Sequence, residues 1–264
     1  MSKKMNILVI LNIVGFIATI ILNALANILP INGKNTGQLS DQYPNLFVPA
    51  GITFSIWGII YILLAGFIIY QLITLSKKNS LDSGFISDIG IHFFISSAGN
   101  CAWILAWHYE LVLISLVFML VILFSLIKIY LNLRIALNQK PFRERIFTEI
   151  PFSIYLGWIT IATIANITAL LVNVQWNGFG IPEQSWTVLV LIAGILITGL
   201  ILFLRKDSFY SFVVIWAFIG IILKRQADTA SDDTAVLWTA VIGLIFIGIG
   251  NCILLITEKK HEKR

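Results

Sequence analysis

Three sets of side chains carry the chemical information in this sequence. Phe54, Trp57 and Tyr61 follow one another at i, i+3 and i+7; Asn100, Trp103 and Trp107 repeat that spacing; Tyr155, Trp158, Ala162 and Asn166 extend it to i+11. Residues three and four apart lie on one face of a helix, so each set forms a stripe. Indoles, phenols and carboxamides brought together from separate helices would wall an apolar cavity with a few hydrogen-bonding groups. That is the general make-up of a small-ligand site. The same stripes are also the ordinary material of helix packing, and a single amide in an apolar bundle serves equally as a bridge between helices.

Titratable groups are scarce where proton or ion chemistry would need them. Lys128 can snorkel to an interface, Glu149 stands at a helix start, His92 lies near a helix end, and His108 and Glu110 fall in a hairpin. No pair of carboxylates faces another at mid-membrane depth, and no Gly-rich phosphate loop, HExxH or convincing Ser/His/Asp set is present. Cys101 and Cys252 have neither metal-ligand spacing nor a disulfide framework, and read as small buried residues. Asp228, Asp232 and Asp233, beside Lys224 and Arg225, read as a solvated loop rather than a cation site. Neither catalytic nor metal-ligating residues are assigned.

The elements that position these groups follow from composition. Apolar types make up 58% of the 264 residues and charged types 12%, with a mean hydropathy of +0.92. A bilayer core about 30 Å thick takes roughly 20 apolar residues of helix to cross. Long, continuously apolar runs satisfy that, and they lack the alternation of barrel strands. Spans are predicted at Ile7–Ile28, Val48–Leu75, Ile89–Trp107, Leu111–Leu131, Phe152–Val172, Trp186–Leu204, Phe209–Leu223 and Ala235–Ile256. The seventh is short, and is either re-entrant or buried by its neighbours. The first, with its basic flank and Asn12, Asn23 and Asn27, is expected to be a retained helix rather than a cleaved signal. The fold class is thus all-α: a polytopic integral membrane bundle of about eight helices, brought close by small residues such as Gly58, Ala162, Ala165 and Ala169.

Charge orients the bundle. An even number of spans puts both termini on one side. Of the 18 Lys and Arg, only Lys34, Lys224 and Arg225 fall on the opposite side; the rest, including Lys77, Lys78, Lys259, Lys260, Lys263 and Arg264, share the side of the termini. The positive-inside rule makes that side cytoplasmic. The net charge of +5 is then a topology signal towards anionic lipid, not a nucleic-acid surface. Trp176, Trp186, Trp216 and Trp238 are expected to be interfacial anchors.

These residues resemble the tryptophan-rich sensory protein/translocator protein family, TspO/MBR, which has five transmembrane helices. Its second helix opens with Pro-Pro-Gly-Trp-Val-Phe, then Trp and Ile/Leu-Tyr; here the run is Pro49-Ala50-Gly51-Ile52-Thr53-Phe54-Ser55-Ile56-Trp57, then Ile60-Tyr61. The family's Asn-x-x-Trp on helix three is matched by Asn100-Cys101-Ala102-Trp103. Its Tyr-Leu-Ala-Trp-Val-Ser-Phe-Ala-Thr run on helix five, ending in Asn, is matched by Tyr155-Leu156-Gly157-Trp158-Ile159-Thr160-Ile161-Ala162-Thr163, then Asn166. The departures are Ile52 for Trp, Ala50 and Ile56 for Pro, and Leu170 for Trp; they bear on porphyrin chemistry more than on the fold.

The resemblance implies a five-helix core over residues 1–178. Residues 179–264 add three helices without counterpart in the five-helix family, as in an extended bacterial branch of the plasma membrane. It implies that the loop Leu29 to Asn45, running on to Pro49 and containing Asn32 and Asp41, is a lid over a ligand site. It also implies a porphyrin or haem-type ligand with no required cofactor, and a homodimer. The leading expectation is a receptor, sensor or carrier for an apolar planar ligand held by the three stripes. A secondary transporter of a small substrate and an oxidation of bound tetrapyrrole stand as alternatives.

Overall fold

Buried amides and hydroxyls share the core of this bundle with aliphatic and aromatic side chains, while the large exposed side chains are mostly aliphatic. The structure, a computed structural model, describes residues 3–76, 83–138, 140–228 and 233–262, with side chains up to residue 257. Lys77, Lys78, Asp232, Lys263 and Arg264 lie outside the described residues. Helix α1 (Lys3–Ile28) shows the rule: Asn12, Thr19 and Asn23 are buried, while Ile10, Ile17 and Ile21 are exposed. Lipid tails are as apolar as leucine, so burying leucine gains little there, whereas an unpaired amide facing lipid is costly. The polar stripe of α1 therefore selects its neighbours.

A loop carrying the short helix α2 (Thr36–Asp41) leads to a tight turn at Gly51–Ser55 and then α3 (Ile56–Ser76). The third expected span divides into α4 (Gly84–Ile89) and α5 (His92–His108), broken at Gly90, whose φ of +56° lies in the left-handed region. Next come α6 (Val112–Asn132), a short lead α7 (Phe142–Glu144) and α8 (Ile150–Asn173), then α9 (Glu183–Arg205), α10 (Ser208–Ala227) and α11 (Thr234–Glu262). Among the described residues no strand occurs, and seven helices are long and apolar enough to cross a membrane. Helix α5, at 17 residues, is about 25 Å long and packs along α1 and α6 as the eighth rod. The bundle is thus the expected polytopic helical membrane fold.

Contacts at the two ends fix the alternation of the rods. Lys34 pairs with Glu110 at 2.8 Å, the Leu46 N–H donates to Glu183 Oε1 at 2.9 Å, and Lys224 pairs with Asp41 at 2.7 Å. These gather the segments after α1, α5, α8 and α10 at one end, the lid end. At the other, basic end, Asn132 Nδ2 donates to the Asp88 carbonyl at 2.9 Å. Asp207, 2% exposed, is the node there. Its carboxylate accepts from the Phe209 and Tyr210 N–H groups at 3.0 and 3.2 Å, capping α10. It also accepts from Ser153 Oγ on α8 at 2.7 Å and the Tyr130 hydroxyl on α6 at 2.9 Å. One side chain thus starts α10 and ties it to two other rods.

The seventh span is a complete helix, longer than its apolar run implied. Helix α10 is wedged between α8 and the pair α9 and α11, with Tyr210, Val214, Ala217 and Phe218 buried. Little of it meets lipid, so it can carry Ser208, Ser211 and Arg225. Asn251 Nδ2 on α11 donates to Ser211 Oγ. Arg225 pairs with Asp233 at 3.0 Å, both side chains under a tenth exposed. Asp233 is therefore a buried partner and not part of a solvated loop. Close approach also falls elsewhere than expected. Gly58 is exposed with nothing near its Cβ direction. Tight crossings are Gly15 on Ser97 and Phe94, Gly99 on Ile122, Gly157 on the Tyr210 backbone, Gly220 on Thr53 and Pro49, and Gly243 on Ile195 and Phe218.

Two outcomes follow for stability, read from thermal melting of the purified protein. Asp207→Ala removes the cap and strands the Ser153 and Tyr130 hydroxyls, and is expected to cost about 2–4 kcal/mol. Gln175 is exposed at the C-terminus of α8 with φ +51°, where the Trp176 N–H reaches the Leu171 carbonyl at 3.0 Å. Gln175→Gly relieves that left-handed strain and is expected to stabilise by about 0.5–1 kcal/mol.

Candidate functional site

The three aromatic stripes converge at the lid end. Trp57 is their hub. Its ring stacks on Tyr61 at 5.5 Å and on Trp103 at 6.0 Å, and meets Tyr155 at 5.9 Å and Trp158 at 6.2 Å edge-on. Phe54 meets Trp158 edge-on at 5.8 Å. Trp103 stacks on Trp107 at 6.4 Å, and Trp107 reaches Tyr43 of the loop at 5.6 Å. A ladder of rings thus runs from Tyr61 through Trp57, Trp103 and Trp107 to the lid. Each contact contributes about 0.5–1.5 kcal/mol beyond area burial.

A cavity opens beside this ladder. Phe54, Trp57, Trp103, Trp107, Trp158, Ala162, Asn166 and Pro49 line it, together with Thr36, Ser40, Met119, Ile161 and Ala165. The space free of atoms, including the open mouth, is about 500 Å³, and little of it is wide enough for more than a water molecule. In this state the cavity suits a few waters or a small group; a macrocycle requires the walls to part.

Tyr61, Asn100 and Tyr155, expected in the same wall, lie outside the lining in a polar layer behind it. Asn23 Nδ2 donates to Asn100 Oδ1 at 2.6 Å, and Asn100 Nδ2 to the Tyr155 hydroxyl at 3.4 Å. These bonds join α1, α5 and α8 beneath the indoles. Asn166 lies in the lining yet is already engaged. Its Oδ1 accepts from Trp103 Nε1 at 3.2 Å and its Nδ2 donates to Ser115 Oγ at 3.1 Å. Three polar groups of the lining have no partner: Trp107 Nε1, Trp158 Nε1 and Thr36 Oγ1 are all buried and unbonded. Native interiors seldom leave such groups unmatched.

The loop over the cavity is built, not slack. Asn35 and Gln38 form a reciprocal capping box that starts α2, which places Thr36 and Ser40 in the lining. Asn45 Oδ1 accepts from the Phe47 and Val48 N–H groups at 3.1 and 3.0 Å, turning the chain towards Pro49. Asn32, at φ +56°, donates from Nδ2 to the His108 carbonyl at 3.0 Å. Asp41 faces away from the cavity wall, paired with Lys224. Burial and the nearby Glu110 carboxylate push the Tyr43 phenol above its ordinary range, so it stays neutral against Trp107.

Reading the sequence alone misses Thr36, Ser40, Met119, Ile161 and Ala165. The Asn35-x-x-Gln38 cap was a usable sign of α2, and Ile161 and Ala165 continue the face of Trp158 and Ala162. Met119 sits in an unbroken apolar run that gives no such sign. Trp216 is not a free interfacial anchor: its Nε1 donates to the Thr53 carbonyl at 3.0 Å, joining α10 to the start of α3.

No curated protein and no solved structure matches the chain. A family model described as TSPO-like protein matches residues 9–253, from α1 through most of α11. The match takes in the ring ladder, the cavity wall and the three last helices alike, and the chain belongs to the TSPO-like protein family.

Proposed function

We propose that this chain is a membrane receptor or carrier for an apolar, planar ligand of the porphyrin or haem type, held in the lid-end cavity. The observation that carries the reading is the pair of buried, unpartnered indole N–H groups, Trp107 Nε1 and Trp158 Nε1, in an aromatic wall. An unpaired buried donor costs about 1–3 kcal/mol. A ligand that presents acceptors to both recovers that cost on binding, and the Thr36 hydroxyl supplies a third contact. No charged side chain belongs to the lining, so the enclosed part of the ligand is neutral and any ionised group stays at the mouth. The indole faces of Trp57, Trp103 and Trp158 supply the apolar contact. Residues 1–178 form the ligand-holding core in this reading, and residues 179–264 brace it. The basic end faces the cytoplasm of a bacterial cell, as the distribution of Lys and Arg supports.

The decisive variant is Trp158→Phe, which keeps a ring and removes the N–H. Protoporphyrin affinity, followed by quenching of tryptophan fluorescence, is expected to fall about fivefold to tenfold, with the melting temperature little changed. Trp158→Ala is expected to weaken binding further. Undiminished affinity in both variants would remove this cavity as the site. For orientation, a C-terminal fusion to a reporter active only in the cytoplasm is expected to be active. A fusion active only outside would invert the topology.

A further inference from the structure

We infer that α9 and α10 latch the lid over the cavity, so that the C-terminal helices regulate access to the site. This rests on the cavity being the ligand site, and it assigns those helices a task beyond bracing.

The lid is tied at its two halves to different parts of the bundle. Its first half is held by the α5–α6 hairpin, through Asn32 on the His108 carbonyl and Lys34 on Glu110. Its second half rests on α5 through the Tyr43 ring on Trp107, and its hydrogen bonds and ion pairs run to α9 and α10. Asp41 pairs with Lys224 at 2.7 Å, and the Leu46 N–H donates to Glu183 Oε1 at 2.9 Å. The Ala50 N–H donates to the Gly220 carbonyl at 2.9 Å, and Trp216 reaches the Thr53 carbonyl at 3.0 Å.

These ties differ in strength, and the difference defines a hinge. Near Gly220 the lid root packs directly on α10: a Cβ at residue 220 would collide with the Thr53 side chain and come within 2.9 Å of Pro49 Cβ. Pro49 is itself a wall of the cavity, so α10 sets the wall by direct contact. Outward from that fulcrum the polar ties to α9 and α10 are exposed, and the one ion pair among them lies above the buried Leu39 and Tyr43. Asp41 is 64% exposed and Lys224 28%, and pairs of that kind are weak and screened by salt. The segment between Lys34 and Leu46 can thus lift while the chain at Pro49 stays seated. Lifting it uncovers Thr36 and Ser40, the two lining residues contributed by α2.

The test reads lid opening without any ligand. Thr36→Cys, in a background with Cys101→Ala and Cys252→Ala, places a thiol in the cavity wall, and maleimide labelling in nanodiscs reports its access. Lys224→Glu is expected to speed labelling about fivefold, and Asp41→Lys alone likewise. The double exchange Asp41→Lys with Lys224→Glu is expected to restore the parent rate. Single variants that label at the parent rate, or an exchange as fast as the singles, would overturn the latch. Should a single variant fail to fold, raising salt from about 0.05 to about 1 M on the parent thiol is expected to speed labelling by screening the pair. A rate independent of salt would then overturn it. If protoporphyrin does not bind at all while labelling responds as stated, the ligand assignment falls and the latch stands.

Discussion

The structure depends on one constraint: inside a bilayer, a polar side chain has to find its partner within the protein. Asn12 on Gln71 at 3.0 Å, Asn23 on Asn100, and Asn166 on Ser115 and Trp103 join α1 to α3, α1 to α5, and α8 to α5 and α6. Each such bond contributes about 0.6 kcal/mol on average in membrane proteins. The larger effect is exclusion, because any rotation of α1 that turned Asn12 or Asn23 to lipid would leave an amide unpaired. The polar stripe therefore sets rotation and register, and glycines at crossings such as Gly15 and Gly157 set the distance. The aromatic cavity is the consequence, since the amide layer beneath it fixes α5 and α8, whose Trp103 and Trp158 both meet Trp57 of α3.

The same logic separates the two ends. At the basic end Asp207 is fully engaged by two backbone N–H groups and two hydroxyls, and its neighbours are held by Arg205 over the Tyr130 ring at 5.4 Å and Arg145 over Phe209 at 5.8 Å. The node there is a saturated carboxylate, although Glu149 Oε1, Arg205 Nη1 and Ser208 Oγ around it make no hydrogen bond. At the lid end the indoles of Trp107 and Trp158 lack partners and the covering loop is held by partly exposed ion pairs. Unmatched donors and weak outer ties coincide there, which is where a molecule that binds and leaves would need them.

Much of this was legible in the sequence, for identifiable reasons. The spans follow from hydropathy because the bilayer demands length and apolarity and little else. The aromatic faces follow from 3.6-residue spacing, and the rings of Phe54, Trp57, Trp103, Trp107 and Trp158 do meet around one void. What spacing cannot give is depth along a shared face. Asn100 and Tyr155 sit on the right faces but a layer behind the lining, where Asn23 of α1 bonds Asn100 and Asn100 bonds Tyr155. Gly58 looked like a packing residue and is exposed, since a small residue is required only where another backbone arrives. Asp207 gave no signal, because an acidic residue directly after two basic ones reads as a loop charge until three helices close on it. Asp233 misled in the same way through its partner Arg225.

The closed geometry of the cavity bears on what could select a ligand there. A flat molecule that entered between Trp57 and Trp103 would exchange their stacking, about 0.5–1.5 kcal/mol for each ring pair, for stacking of similar strength on itself. Aromatic contact is then mostly exchanged, and discriminates little between one planar molecule and another. The groups that change state are the indole N–H groups of Trp107 and Trp158, each moving from unpaired to paired at about 1–3 kcal/mol. Selection in such a site would rest on where the ligand carries its acceptors, with the rings supplying a surface that tolerates many shapes. Ile52 and Leu170, where the resemblance leads one to expect tryptophan, lie outside the lining and leave the two discriminating donors in place.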